Sequence, residues 1–180
     1  MQHLKFATSN PNKLKEASEI LGFSMEQIKL DLDEIQTTSV EELIRHKAIE
    51  AYKKSGKNVI VEDSGLEFIS WNGLPGALIK WFESTVKIEG ILKMLENFEE
   101  RTALAVCYVA MYDGEEFFMA KGEVKGKISH KPTGDNGFGW DVIFIPDGYD
   151  KTFAELGSDI KNQISQRKLA FENFKKLLMK

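Results

Sequence analysis

The chain has 180 residues, 42% of them hydrophobic and 29% charged, a composition that supports a substantial buried core and excludes a disordered chain. Its net charge of −4 excludes the broad basic footprint of a duplex-binding protein, while leaving room for a small anionic ligand held by a local lysine cluster. Cys107 is the single cysteine, which excludes an intrachain disulfide and a cysteine zinc site and predicts a buried thiol in a reducing compartment. No composition break or internal repeat divides the chain, so one domain over residues 1–180 is expected. Met1-Gln2-His3-Leu4-Lys5-Phe6 lacks the shape of a signal peptide, and the longest apolar run, Ala103–Tyr112, is too short to span a bilayer. A cytoplasmic protein without membrane or nucleic-acid-polymer partners is expected.

In chain order, Leu4–Thr8 reads as a strand and Ser9-Asn10-Pro11-Asn12 as its exit, with Asn10 as helix N-cap and Pro11 as the first helical residue. Leu14, Ala17, Ser18 and Leu21 follow at helical spacing, and Gly22 stops the helix. Lys13 and Lys15 lie near the helix start, where the dipole disfavours cations. A strand, a polar turn and a lysine-bearing helix N-terminus make a phosphate cradle, and Lys13 is its candidate; Lys15 reads as a solvated charge. Ile28–Ile35, with Asp31, Asp33 and Glu34, is expected to be a short strand and its exit. Ser39 and Glu42 form a capping-box pattern before Val40, Leu43, Ile44, Ala48, Ala51 and Tyr52, and Gly56 ends that helix. Lys47 falls on its apolar face, where it either snorkels to the edge or reaches a buried anion.

Val59-Ile60-Val61 reads as a buried strand that delivers Glu62 and Asp63 to a turn at Ser64-Gly65, at a sheet rim of the kind where open α/β proteins bind ligands. A second turn, Gly73-Leu74-Pro75-Gly76, feeds Lys80-Trp81-Phe82. Ile88 to Phe98 carries another helical period. Ala103–Tyr112 and Phe117–Ile128 read as a hairpin turning at Asp113-Gly114, which points to a mixed sheet. Thr133–Trp140 is a glycine-bearing loop presenting Phe138 and Trp140 as exposed aromatics, with Asp141–Ile145 expected as a strand. The tail runs from Ser158 through Lys161 and Ser165-Gln166-Arg167 into a helix faced by Ala170, Phe174, Leu177 and Leu178.

Lysines at a helix N-terminus, acids at strand ends and aromatics on glycine-rich loops are the parts for metal-assisted attack on a nucleotide phosphate. Magnesium takes one or two carboxylates plus phosphate oxygens, and a further carboxylate serves the water. No GxxxxGK[ST], HExxH, GxSxG or GxGxxG motif occurs, and the three histidines, His3, His46 and His130, are scattered. P-loop NTPases, zinc hydrolases, serine esterases and NAD enzymes are thereby set aside.

Five segments in order carry a resemblance: Thr8-Ser9-Asn10-Pro11-Asn12-Lys13, Glu62-Asp63-Ser64-Gly65-Leu66, Gly73-Leu74-Pro75-Gly76 with Lys80-Trp81-Phe82, Gly137-Phe138-Gly139-Trp140-Asp141, and Pro146-Asp147-Gly148-Tyr149. Together they resemble the inosine triphosphate pyrophosphatase family. The resemblance implies an α/β fold with a long mixed sheet and two lobes around a cleft, a homodimer, and magnesium-dependent conversion of ITP, dITP and XTP to the monophosphate and pyrophosphate. By position it implies Thr8–Lys13 as the triphosphate loop, Lys47 and Lys80 as phosphate contacts, and Ser64 beside the substrate. It implies Glu34 and Asp63 as magnesium ligands, Asp63 also as proton acceptor, with Lys13 and Lys47 as its catalytic partners. It implies Phe138, Gly139, Trp140 and Asp141 as the base-stacking loop, and Lys161, Gln166 and Arg167 as base readers. Two positions depart from the family pattern, Ser9 in place of glycine and Gln166 in place of histidine. The alternatives weighed are a septum-formation-type pyrophosphatase, which lacks the pairing of the Phe138–Asp141 loop with Arg167, and a non-hydrolysing nucleotide sensor, which needs no water-activating acid.

Overall fold

The structure is a computed structural model describing residues 5–179; Leu4, expected in the first strand, lies outside the described residues. A seven-stranded sheet forms the centre. β1 (Lys5–Ala7) pairs in parallel with β2 (Glu26–Ile28) on one side and with β3 (Val59–Phe68) on the other. β3 pairs antiparallel with β5 (Thr102–Tyr112), β5 with β6 (Phe117–Ile128), and β6 with β7 (Phe144–Pro146), while the two-residue β4 (Pro75–Gly76) flanks β3. The sheet is therefore mixed, as the hairpin signal at Asp113-Gly114 requires. Asp113 Oδ1 closes that hairpin by accepting the backbone N–H groups of Glu115 at 3.0 Å and Glu116 at 2.8 Å.

Helices cover both faces. α1 (Pro11–Leu21) starts where the Asn10 side chain accepts the Asn12 N–H, and Gly22 stops it in the left-handed region. Together with α6 (Gln166–Leu178) it buries one face of the sheet, where Phe6, Ile60, Cys107 and Val109 meet Ala17, Phe171 and Phe174. α2 (Val40–Ser55) covers the other face, where Ile44, Ala48 and Ala51 meet Val59, Val61 and Ala110. A third cluster lies further along β3 and β5: Leu66, Phe68 and Ala105 pack with α3 (Ile79–Thr85), α4 (Lys87–Met94) and α5 (Phe153–Ile164). Glu62, Asp63 and Ser64 fall on β3 between Val61 and Leu66, at the seam between these clusters. That seam is the groove described below.

Several expectations change. The Ser64-Gly65 turn is absent, because β5 pairs with β3 continuously from Val61↔Ala110 to Phe68↔Ala103 and keeps the chain extended. The acids still lie at a rim, since β1 ends at Ala7↔Val61 and leaves one edge of β3 uncovered just beyond. The short strand expected within Ile28–Ile35 lies earlier, at Glu26–Ile28, and the following residues run irregularly, tied to α2 where the Asp33 N–H donates to Glu50 at 2.8 Å. The Ser39 box closes on one side only: Ser39 accepts the Glu42 N–H, but the Glu42 carboxylate takes the Thr37 hydroxyl at 2.6 Å. Asp141–Ile145 is not one strand. Gly139–Val142 forms a turn of 3-10 helix, in which Asp141 accepts the Phe138 N–H at 2.8 Å, and only Phe144–Pro146 is extended. Trp140, expected to be exposed, is buried edge-on against Phe144.

Candidate active site

Side chains alternate along an extended strand, so Glu62 and Ser64 share the α1/α6 face of β3 with Ile60, while Asp63 shares the α2 face with Val61. Lys13, from the first turn of α1, sits at the edge that β1 leaves open and reaches both acids, Glu62 at 3.1 Å and Asp63 at 3.2 Å. On the α2 face Lys47 donates to Asp63 at 2.6 Å and to Glu34 at 3.1 Å. The alternative left open for Lys47 is thereby decided: it reaches a buried anion. Glu34 also receives Lys80 at 3.1 Å.

On the α6 face the chain of opposite charges continues. Glu62 accepts from Arg167 at 3.2 Å, Arg167 pairs with Glu16, Glu16 accepts from Lys161 at 2.8 Å, and Lys161 donates to Asp141 at 2.6 Å. Cations and carboxylates thus alternate without a break from Lys80 to Asp141. Such an array leaves few buried charges uncompensated.

The shifts in proton affinity follow from this alternation. Burial alone would raise the Asp63 carboxyl, but Lys13 and Lys47 hold it well below the usual carboxylate range. Glu62 is likewise opposed by burial and brought down to about 2 by Arg167 and Lys13. Burial would lower Lys13, yet Asp63 and Glu62 push it above an ordinary lysine, and the same balance raises Lys47 and Arg167. Asp141 is raised, since its burial outweighs Lys161. Cys107 donates to Glu62 at 3.1 Å, and burial keeps its thiol protonated.

Two cavities share the middle of the array. The larger, about 460 Å³, is lined by Thr8, Ser9, Asn10, Glu34, Lys47 and Asp63, among others. The smaller, about 180 Å³, is lined by Ser64, Phe138, Trp140, Asp141, Lys161, Gln166 and Arg167, together with Gly139 and Glu83. Asn10, Lys13, Asp63 and Lys80 line both, so one elongated ligand can run through the two. The first has cations over acids, the setting for phosphates; the second has the Phe138 ring with Lys161 Nζ 4.5 Å from its centroid.

Of the residues singled out in the sequence, Pro11 and Asn12 stay exposed and line neither cavity; they shape the helix start instead. Three acids of the site were not singled out as functional. Glu16 sits three residues after Lys13 and beside the core residue Ala17, the same signal of a charge beside apolar helix positions that marked Lys47. Glu62 read only as half of an acidic pair. Glu83, three residues after Lys80, gave no periodic signal because α3 is short.

Among the described residues no three His, Cys, Asp or Glu side chains converge as a closed metal cage. Glu34 and Asp63 nevertheless meet on the one Lys47 ammonium, and two carboxylate donors completed by phosphate oxygens suit magnesium. The donor set fits that ion.

The mixed sheet and a groove with clamped carboxylates at one end and a cation-faced aromatic at the other define an α/β protein built for an anionic ligand that carries a flat ring. The Ham1 family model matches residues 4–177, and the chain belongs to that family. A dITP/XTP pyrophosphatase of Ignicoccus hospitalis is 44% identical over 178 residues, covering 96% of this chain and 95% of that protein. An inosine triphosphate pyrophosphatase of Scheffersomyces stipitis is 40% identical over 194 residues and 99% of each chain. The Ham1 protein of Staphylococcus aureus superposes with a TM-score of 0.85 at 32% identity, over 98% of each chain.

Proposed function

We propose that this protein hydrolyses non-standard purine nucleoside triphosphates, ITP, dITP and XTP, to the monophosphate and pyrophosphate. In doing so it keeps deaminated purines out of DNA and RNA. The observation that carries the reading is Asp63, held by lysines from two different helices in a cavity that opens onto the Phe138–Arg167 pocket. The family relationship, with relatives of that activity along the whole chain, supports it.

In this reading Thr8, Ser9 and Asn10 line the triphosphate channel, and Lys13, Lys47 and Lys80 bind its oxygens. Glu34 and Asp63 would hold magnesium, which would supply charge neutralisation at the phosphates. While both lysines clamp it, Asp63 is a weak base. Once they turn to phosphate, the Asp63 oxygens are released from the two ammonium groups and can meet the water. Asp63 then takes a proton from the water that attacks the α-phosphorus as the bond to the bridging oxygen of pyrophosphate breaks. Lys13 and Lys47 stabilise the charge that builds on the phosphate oxygens.

At the other end Phe138 stacks the base, with Gly139, Trp140 and Asp141 shaping the wall and Ser64 closing the floor. Arg167 Nε and Gln166 Oε1 are buried without hydrogen-bond partners, a donor and an acceptor available for the base edge. Arginine only donates, so it accepts a 6-oxo purine and rejects adenine; Lys161 reinforces the same preference. The enzyme is taken to act as a single domain, as a homodimer and in the cytoplasm, on the strength of the family likeness; sedimentation checks the dimer.

The deciding experiment is a steady-state panel of ITP, XTP, dITP, GTP, ATP and dTTP with pyrophosphate detection, with and without magnesium. Magnesium-dependent pyrophosphate from the first three is expected. Orthophosphate as product, a preference for dTTP, or binding without turnover would each refute the reading, the last two in favour of the pyrimidine-type enzyme and the sensor.

A further inference from the structure

Glu83 is the one acid lining the smaller cavity that takes no part in the alternating array. It stands three residues after Lys80 and so projects from the same side of α3. Its carboxyl lies against Gly139, where a Cβ would fall 2.7 Å from Oε1. That oxygen is buried and has no hydrogen-bond partner among the described residues. The Trp140 backbone N–H bears on this carboxyl, yet Oε1 keeps no donor, and leaving a buried acceptor unmet is unfavourable. What it lacks is a donor from a ligand.

Its place along the groove says which part of the ligand. One turn of α3 separates it from Lys80, which with Lys13 also lines the larger, phosphate-side cavity, and its contact with Gly139 sets it beside Phe138, which with Arg167 lines the smaller cavity alone. In a nucleotide the covalent order between phosphate and base leaves only the sugar for the middle. Sugar hydroxyls are donors, and carboxylates are the groups that nucleotide-binding α/β folds use to receive them. We infer that Glu83 is the sugar-recognising residue of this groove, accepting hydrogen bonds from a ribose hydroxyl of the bound triphosphate, an assignment that rests on the function proposed above. The proton affinity of Glu83 agrees: burial and then the Asp141 carboxylate lift it to about 7, against the Trp140 backbone N–H and Lys13. A hydroxyl donor favours the ionised form and offsets that burial. Among purine nucleotides Glu83 therefore sets the preference between sugars, while Arg167 reads the base.

The test compares ITP with its 2′-deoxy and 3′-deoxy analogues on the full chain, wild type, Glu83→Leu and Glu83→Gln. Both kcat/KM with pyrophosphate detection and calorimetric binding with EDTA present are measured. The wild type is expected to favour ITP over one of the analogues by on the order of tenfold, the factor of one hydrogen bond to a charged group. Glu83→Leu is expected to abolish that gap by weakening ITP alone, and Glu83→Gln, which keeps an acceptor, to retain part of it. Equal treatment of all three ligands by the wild type, or an equal loss for all three in Glu83→Leu, overturns the inference. If Glu83→Leu does not fold, an undiminished gap with no loss for ITP in Glu83→Gln overturns it, and a reduced gap supports it. Wild-type binding without turnover would sink the proposed activity yet leave the sugar preference to decide this assignment; no binding at all would sink both.

Discussion

Replacing Arg167 with alanine tests whether the alternating array holds the groove together. Arg167 is 2% exposed and pairs with Glu16 and Glu62 while donating to Ser64 at 3.2 Å. Breaking a buried pair by removing one partner costs about 3–5 kcal/mol, because the other charge stays buried. Here Glu16 keeps Lys161, and Glu62 keeps Lys13 and Ser64, so the low end applies, about 3 kcal/mol. For a domain of this size that is a fall in melting temperature of roughly 6–12 °C. The pH dependence has a definite sign. Glu62 is depressed to about 2 in the folded protein, so its pairing contributes fully above its unfolded value and is lost as pH falls through about 2. The gap between wild type and Arg167→Ala should therefore be widest near neutrality and narrow as pH falls below about 4.5. Urea denaturation followed by circular dichroism at a series of pH values reads this directly. Arg167→Met, which restores packing in place of the guanidinium, should recover part of the loss. A loss under about 1 kcal/mol at neutral pH, or a gap that widens in acid, would refute the assignment of these charges as mutually compensating. Base selectivity has to be measured below the variant's melting temperature, where Arg167→Ala is expected to narrow the preference for ITP over ATP.

Asp63→Asn should abolish pyrophosphate release while leaving ITP binding by calorimetry largely intact; substantial remaining turnover would mean that another group takes the proton from water. Gly122 lies where α6 crosses β6, and a Cβ there would fall 2.0 Å from the Gln166 carbonyl oxygen and 2.4 Å from the Ala170 nitrogen. Gly122→Ala should cost about 1–3 kcal/mol through overpacking. It should also raise KM for ITP by displacing Gln166 and Arg167; an unchanged urea midpoint together with an unchanged KM would contradict that seating.

Local signals in the chain were sufficient for the elements whose ends are marked by their own side chains. Asn10, Pro11 and Gly22 delimit α1, Gly56 stops α2, and Asp113 turns the hairpin, each through contacts within a few residues. The motif order was sufficient for the family, and Lys47 betrayed itself as a cation on an apolar helix face. Local signals failed where distant partners decide the outcome. Glu62-Asp63-Ser64-Gly65 has turn-forming letters, yet β5 pairs along its whole length and keeps it extended, which is what sends the two acids to opposite faces. Trp140 looked exposed because its loop is rich in glycine, and is buried because Phe144 lies under it. Above all, the pairing of Arg167 with Glu16 spans 151 positions, and no periodicity connects residues that far apart. Helix, turn and hairpin propensities act over a handful of bonds, so the sequence by itself determined the elements and their kinship. Charge compensation acts through space, so only the tertiary structure decided which carboxylate each cation serves, and which acid, Glu83, was left for a ligand.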